Sequence, residues 1–416
     1  MKKALTIILM LFIVFSAFAA GSNESASNQG PVTITYYGRP DVEMEKKVIA
    51  DFEAENPGIK VNYVELPSSS NDRLKTIQTV LQAGGTEMDV FAGDACWPPI
   101  FISADWIVPL DDYVGKSTFD LYIDTMLKAY TVNGKTYGLP YMADVVAMYY
   151  RADLLEKYNL PVPTTYDEVV KYSKIIMEGE NNPDLYGWGS IWVQNESLAC
   201  CFYSFYWALG GPDMVNGKGE FTFDYEIAEK ALAMMRSFID TEKISPEGMG
   251  SFDTNTMRNA VIAGNFIFTS DWLSGYAKYN AEGSAVNGKM KITSAPTNGS
   301  IGGWGLMVSK FSKHKEEAAK FAAYRASYAG QKTAMEMVKQ VPTLKQFYNA
   351  DSVLPGFEYI PEFLAPLSTA RPRGLTPFYA EISSKIQVEA SAVVTGMKTA
   401  AEAAESLKSS IEAILN

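Results

Sequence analysis

The sequence predicts an α/β fold built on a parallel β-sheet. Three observations support this. Strand-like and helix-like segments alternate near the start of the chain, each helix-like segment ends at a turn signal, and the strand-like segments are short and apolar. In sheets of this kind, ligands bind outside the carboxyl ends of the strands. Residues that directly follow these strands are therefore the first candidates for a functional site.

The first five elements follow from residue patterns in chain order. "VTITYYG" alternates apolar and polar residues as a strand does, and "DVEMEKKVIADFEAENPG" is a helix with an acidic start, ended by Pro57-Gly58. "IKVNYVEL" is the second strand, "NDRLKTIQTVLQAGG" a second helix closed by glycine, and "MDVFAGD" the third strand. Asp94 and Trp97 fall just past the end of the third strand and Glu43 falls in the turn after the first, so both positions are expected at one crevice.

Later segments predict a mixture of helices and extended chain. A turn at Asn133-Gly134 precedes an extended stretch and a helix, and another helix follows Thr164-Thr165. Residues 186–210 are dense in aromatic side chains. "KEEAAKFAAYRASYAGQKTAMEMV" is strongly helical, and "AAEAAESLKSSIEAIL" is an amphipathic helix. A length of 416 residues, reduced by the predicted signal peptide, indicates two domains or one large one.

The N-terminus indicates an exported protein. Two lysines precede a short apolar run that ends in small residues, which predicts a signal peptide over residues 1–20. Residues 21–30 are small and polar and predict a flexible leader. The formal net charge of −12 argues against nucleic acid as a partner, because such binding needs a basic surface.

Histidine and cysteine usage excludes several classes of enzyme. His314 is the single histidine, which argues against a Ser-His-Asp triad and against a zinc site. The three cysteines are Cys96, Cys200 and Cys201, and an odd number is not typical of a disulfide framework. We expect them to pack as small apolar residues, with one bridge from Cys96 to either neighbour as the alternative. Neither a cofactor nor a metal site is expected.

Tryptophans near turns, together with acids and arginines, are suited to carbohydrate. Trp97, Trp272 and Trp304 are the candidates, and Trp304 follows Gly302-Gly303, where glycine favours a close backbone approach. Indole rings match the apolar face of a sugar, and carboxylates and guanidinium groups match its hydroxyls. Paired carboxylates are also compatible with a glycosidase.

Several stretches, taken in order, resemble the extracellular solute-binding proteins of ABC importers, in their carbohydrate-specific class (family 1). They are "VIADFEAENPGIKVNYVEL", "NGKTYGLPYMADVVAMYYRADLLEKYNLPVPTTYDEVV" and "IGGWGLMVSKFSKHKEEAAKFAAY". "MDVFAGDACWPPIF", "GGW" and "RPRGLTPFYAEIS" are most similar to trehalose/maltose-binding proteins. The resemblance implies a two-lobed periplasmic-binding-protein fold, with two α/β domains, a hinge and a central ligand cleft.

The resemblance also implies lobe boundaries and ligand contacts. The N-terminal lobe is expected over 31–140 and 296–345, and the C-terminal lobe over 141–295 and 346–416. The implied ligand-binding residues are Glu43, Arg73, Asp94, Asp144, Trp272, Gly303, Trp304, Arg371 and Arg373. Arg371 and Arg373 compete for one position, because "ARPR" offers two registers. The family tyrosines two before Asp144 and two after Trp272 are Met142 and Ser274 here.

The expected function is therefore binding without bond chemistry. The chain would be the extracytoplasmic sugar-binding component of an ABC importer, periplasmic or extracellular. It would bind a disaccharide or short α-glucoside of the trehalose/maltose kind by lobe closure. Its partners would be that carbohydrate and the permease subunits in the membrane, and the protein itself would be a monomer. The alternatives are an exported carbohydrate-cleaving enzyme and a chemoreceptor ligand carrier.

Overall fold

The structure is a computed structural model that describes residues 30–216, 220–294, 296 and 299–416. The predicted signal peptide and all but the last residue of the predicted leader lie outside these residues.

The described residues form ten strands and sixteen α-helices. The strands are β1 Val32–Gly38, β2 Ile59–Glu65, β3 Val90–Asp94, β4 Thr131–Val132, β5 Lys135–Thr136, β6 Leu139–Arg151, β7 Tyr186–Ser190, β8 Phe266–Trp272, β9 Met290–Thr293 and β10 Ile301–Val308. The helices are α1 Val42–Glu55, α2 Ser70–Gln82, α3 Pro98–Ser103, α4 Lys116–Phe119, α5 Asp124–Lys128, α6 Ala152–Lys157, α7 Tyr166–Glu180, α8 Glu196–Ala208, α9 Tyr225–Asp240, α10 Thr254–Ile262, α11 Tyr276–Tyr279, α12 Lys315–Arg325, α13 Tyr328–Val338, α14 Leu364–Thr369, α15 Tyr379–Val394 and α16 Ala400–Leu415.

The predicted βαβαβ unit at the start of the chain is confirmed. β1 pairs in parallel with β2 on one side and with β3 on the other. Ile34 and Tyr36 on β1 and Val90 on β3 are fully buried, as alternation in β1 and the apolar run in β3 require. The parallel arrangement brings the carboxyl ends of all three strands to one edge of the sheet.

Eight strands form one sheet. Seven of them follow the order β2-β1-β3-β10-β6-β8-β7, and β9 pairs with β6 off this path. β10 lies between β3 and β6 and is antiparallel to both. The long strand β6 changes partners near its middle. Its residues up to Val145 pair with β10, and those from Val146 onward pair with β8 and β9. β6 therefore carries the chain from one group of strands to the other.

Two details of the predicted elements differ from the structure. Glu43 lies in the first turn of α1, not in the turn after β1, because the helix already begins at Val42. The segment predicted as one late helix forms α12 and α13, since Ser327 caps a new helix by accepting from the Gly330 N–H. The predicted turn at Asn133-Gly134 is confirmed, with φ of 51° and 73°, and joins β4 to β5.

The aromatic region around α8 belongs to the hydrophobic core. Ten of the α8 side chains are buried, and Tyr166 of α7 stacks on Phe205 with ring centroids 4.2 Å apart. The three cysteines are buried with free thiols, as their expected packing role predicts, so the alternative of a disulfide is wrong. Among the described residues, every helix is too short or too polar to cross a membrane.

Candidate functional site

A cavity of about 540 Å³ lies at the carboxyl ends of the parallel strands. It is lined by residues of β3, β6, β8 and β10, by the residue after β1, by the start of α2 and the loop before it, by the first turns of α8 and α10, and by the segment before α15. The lining residues are Arg39, Ser68, Ser69, Ser70, Asn71, Arg73, Asp94, Met142, Asp144, Asn195, Glu196, Ser197, Thr254, Arg258, Trp272, Ser274, Gly302, Gly303, Trp304 and Arg373.

Two consecutive glycines of β10 shape the wall between the two cavity tryptophans. A Cβ on Gly302 would lie 2.4 Å from the Trp272 ring. Gly303 has a φ of +106°, and a Cβ there would lie 2.5 Å from the Met142 carbonyl oxygen. Such a φ is readily adopted only by glycine. The glycine pair therefore lets Trp272 approach the strand and allows the local shift in register that precedes Gly305.

Trp304 lies on β10 directly opposite Asp94 of β3 and is 7% exposed. The ring of Trp97 packs against it nearly perpendicularly, with centroids 5.3 Å apart. The guanidinium carbons of Arg39 and Arg73 lie 5.1 Å and 4.7 Å from its ring centroid, within cation–π range. Trp97 thus supports the cavity indole, and two arginines flank it.

Asp94 is held by a buried arginine. Arg373 Nη2 donates to Asp94 Oδ1 at 2.5 Å, and Arg373 Nη1 donates to Glu196 Oε1 at 2.7 Å. Burial alone would lower the pKa of Arg373, but the nearby negative charge of Asp94 raises the pKa above its ordinary value. The guanidinium therefore stays charged and orients one carboxylate on each side.

Glu196 is anchored from α15. Its Oε1 accepts from Tyr379 Oη, and its Oε2 accepts from Ser383 Oγ at 2.6 Å and Gln387 Nε2 at 3.0 Å. Glu196 begins α8 directly after the cap residue Asn195, where a negative charge favours the helix. This network positions Glu196 and Arg373 as one rigid unit.

Asp144 lies on β6 at the opposite part of the cavity and is buried. Burial raises the pKa of its carboxyl group to about 7. The positive charge of Arg258 and hydrogen bonds from the Val145 N–H and the Ser274 hydroxyl act in the opposite direction. Arg258 itself is engaged by Asp271, with Nε–Oδ2 and Nη2–Oδ1 distances of 2.7 Å and 3.2 Å. Asp144 is thus a buried acceptor whose charge is only partly compensated.

The structure brings seven of the nine sequence-predicted residues to this cavity: Arg73, Asp94, Asp144, Trp272, Gly303, Trp304 and Arg373. Glu43 lies elsewhere, with an 81% exposed side chain paired to Lys46. Arg371 also lies outside the lining, because it pairs with Asp213 at 2.6 Å and packs over the Trp207 ring. Of the two competing arginines, Arg373 is the one at the cavity.

Arg39, Glu196 and Arg258 line the cavity but were missed from the sequence. Arg39 directly follows β1, and that position was a usable signal. Glu196 and Arg258 gave no local signal, because Arg258 is fixed by Asp271 on β8 and Glu196 by residues far along the chain. Within the described ranges, no three His, Cys, Asp or Glu side chains are grouped so that they could hold a metal ion.

Comparison with known proteins identifies the family. Residues 39–332 match the family model described as bacterial extracellular solute-binding protein. A probable ABC transporter-binding protein of Deinococcus radiodurans is 29% identical over 81% of each chain. A galactooligosaccharide-binding protein of Bacillus subtilis is 25% identical over 85% of this chain and 83% of its own length.

A solved structure supports the same relationship. The maltose-bound MalE3 of T. maritima is 28% identical, has a TM-score of 0.80, and aligns over 92% of this chain and 99% of its own. The names of these proteins describe binding rather than catalysis. The fold and the family predicted from the sequence are therefore confirmed: the chain belongs to the bacterial extracellular solute-binding proteins.

Proposed function

We propose that this protein is the extracytoplasmic sugar-binding component of an ABC importer. It binds a disaccharide or short α-glucoside of the trehalose/maltose kind and delivers it to a membrane permease. Membership in an extracellular family agrees with export. The carbohydrate-binding names of relatives and the maltose bound to a structural neighbour support the choice of ligand.

The observation that carries this proposal is the composition of the cavity. Trp272 and Trp304 offer apolar ring surface, and Asp94 and Asp144 offer buried acceptors beside it. A sugar ring has an apolar face and a rim of hydroxyls, and these two kinds of group match both. The volume of about 540 Å³ lies in the range of small-molecule sites, about 300–1,000 Å³.

The proposed site residues are the seven at the cavity together with Arg39 and Glu196. We assign the lobes to 31–140 with 296–345 and to 141–295 with 346–416. The change of strand partners within β6, between Val145 and Val146, supports a crossover close to the first boundary. Ligand contacts from both sides favour the closed arrangement, and this differential affinity drives closure.

A cleaving enzyme is the competing function, since acids line the cavity. In glycoside hydrolysis one acid must deliver a proton and another must attack or activate water. Asp94 Oδ1 is instead bound by buried Arg373 at 2.5 Å, which fixes the carboxylate in place as a hydrogen-bond acceptor. For Asp94, this geometry favours a role in binding over a role in bond cleavage.

A thermal-shift and calorimetric panel tests the function. The purified mature protein is titrated with glucose, trehalose, maltose, maltotriose and a non-carbohydrate polyol, and each mixture is then analysed for released glucose. Ligand that binds the folded state at 1,000-fold excess over Kd should add about 4 kcal/mol to the free energy of unfolding. Stabilisation by an α-glucoside without product supports the proposal. Product formation, or no binding by any saccharide, refutes it.

A further inference from the structure

Two cations of the cavity have no carboxylate partner. In the described part of the chain, neither Arg39 nor Arg73 forms an ion pair. The other two cavity arginines differ, because Arg258 is paired with Asp271 and Arg373 with Asp94 and Glu196. Buried or partly buried charges in proteins are normally paired.

The hydrogen bonds of these two arginines leave positive charge uncompensated. Arg39 Nη1 contacts the Met142 sulfur at 2.5 Å, a weak acceptor, and Arg39 Nε is buried without a partner among the described residues. Arg73 donates to the Pro67 and Ser68 carbonyl oxygens, each at 2.6 Å, which fixes its position without neutralising it. Burial and the like charge of Arg39 lower the pKa of Arg73 to about 10. The two guanidinium groups therefore repel each other where they lie in the cavity wall.

The surroundings of the pair are also positive. Ser69, Ser70 and Asn71, at the start of α2, line the same part of the cavity. A helix N-terminus carries partial positive charge and free N–H donors, which adds to the field of the two guanidinium groups. Among the lining carboxylates, Asp94 is the one whose charge raises the pKa of Arg73, and it is already engaged by Arg373. Asp41 acts in the same direction more weakly and lies outside the lining. One wall of the cavity is therefore positive, in a protein of net charge −12.

We propose that the bound saccharide carries an anionic group, a carboxylate or a phosphate monoester, which Arg39 and Arg73 bind beside Trp304. The inference rests on the proposed function and narrows its ligand class. Guanidinium groups match both oxyanions by paired N–H donors. The sugar ring lies against the indoles, and its acidic group takes the place of the missing counter-ion.

Matched ligand pairs test this inference. The first arm compares trehalose with trehalose 6-phosphate, the second compares maltose with maltobionate, and inorganic phosphate is titrated alone. In at least one arm the acidic member should bind tenfold or more tightly, and the arm identifies which oxyanion is preferred. Neutral members that bind as tightly as the acidic ones in both arms overturn the inference and leave the proposed function intact. No binding by any saccharide overturns both the inference and the proposed function. If inorganic phosphate alone binds as tightly as the acidic sugars, the site recognises an anion and not a saccharide, and the inference is overturned.

Variants assign the effect to the arginines. Arg39→Gln should lower the affinity for the acidic member at least tenfold more than the affinity for its neutral counterpart. Arg236→Gln, which removes an equal charge from α9 near Asp240, serves as the control and should change neither affinity. Arg73→Gln is expected to act like Arg39→Gln. Since Arg73 also holds two backbone carbonyls, Arg39→Gln remains decisive if the Arg73 variant does not fold. Equal losses for both ligands in Arg39→Gln contradict the inference.

Discussion

The buried carboxyl group of Asp144 should make the unliganded protein less stable as pH rises, and Asp144→Asn should remove that dependence. The side chain lies on β6 in the cavity wall and is only 5% exposed. Asn keeps nearly the same shape and can still accept from the Val145 N–H and the Ser274 hydroxyl. The substitution therefore removes the ionisation with little change in packing.

The magnitude follows from the difference between the folded and unfolded pKa. Burial raises the pKa of Asp144 to about 7, whereas the pKa of an aspartate in the unfolded chain is about 3.9. Because the folded pKa is the higher one, the stabilising contribution is complete below pH 3.9 and is lost as pH rises through 7. A difference of about 3 units corresponds to roughly 4 kcal/mol at 1.36 kcal/mol per unit.

Urea unfolding at pH 4 and pH 8 measures this effect. At pH 4 the wild type and Asp144→Asn should have similar free energies of unfolding. At pH 8 the variant should be more stable by up to roughly 4 kcal/mol, seen as a higher transition midpoint at unchanged slope. The control is Asp351→Asn, which makes the same chemical change at an exposed position outside the cavity.

A pH-independent difference between wild type and Asp144→Asn would refute the reasoning. It would mean that Arg258, Ser274 and the Val145 N–H together compensate the charge of Asp144 fully, and that burial does not dominate its pKa. Lower stability of the variant at pH 8 would lead to the same conclusion, because it would show that the ionised group is net stabilising.

Three further predictions concern the cavity and its closure. Trp304→Ala should weaken sugar binding by about 2 kcal/mol or more in calorimetry while the circular dichroism of the apo protein is retained, and unchanged affinity would remove Trp304 from the site. Gly303→Ala should lower the free energy of unfolding by at least about 1–3 kcal/mol, since its φ is +106° and its Cβ meets the Met142 carbonyl. Gly248→Ala, with no atom within 4 Å of its Cβ, is the matched control and should be nearly neutral. The radius of gyration from small-angle scattering should decrease with saturating sugar, and an equal radius would contradict closure.

Local patterns were sufficient for the first part of the sheet. Alternation in β1, the apolar run of β3 and the Pro57-Gly58 stop predicted β1 through β3 almost to the residue, because these signals lie within each segment. The strand ends then placed Asp94 correctly at the cavity edge. Glu43 was misplaced because α1 begins at Val42, so Glu43 lies in the first turn of the helix and not in the loop before it. A difference of one or two residues in the start of a helix moves a side chain from the crevice to solvent.

Long-range pairing explains what the sequence did not reveal. Glu196 and Arg373 meet across 177 residues, and nothing near either residue indicates the partner. The two registers of "ARPR" were equivalent in the sequence. The structure separates them through Asp213, which engages Arg371, and through Asp94, which engages Arg373. Such pairs depend on how the strands and helices are arranged in space, and single-sequence periodicity does not contain that information.

The position of β10 has a consequence for how the chain folds. β3 ends at Asp94, yet the strand that covers its open edge begins at Ile301. An open strand edge is a template for unwanted pairing, and contacts between distant residues form slowly because a long loop must first close. Until β10 is in place, the edge of β3 in the first βαβαβ unit has no partner strand. We expect the pairing of β10 with β3, rather than the formation of any helix, to limit the folding rate. The chain is most prone to aggregate before that pairing forms.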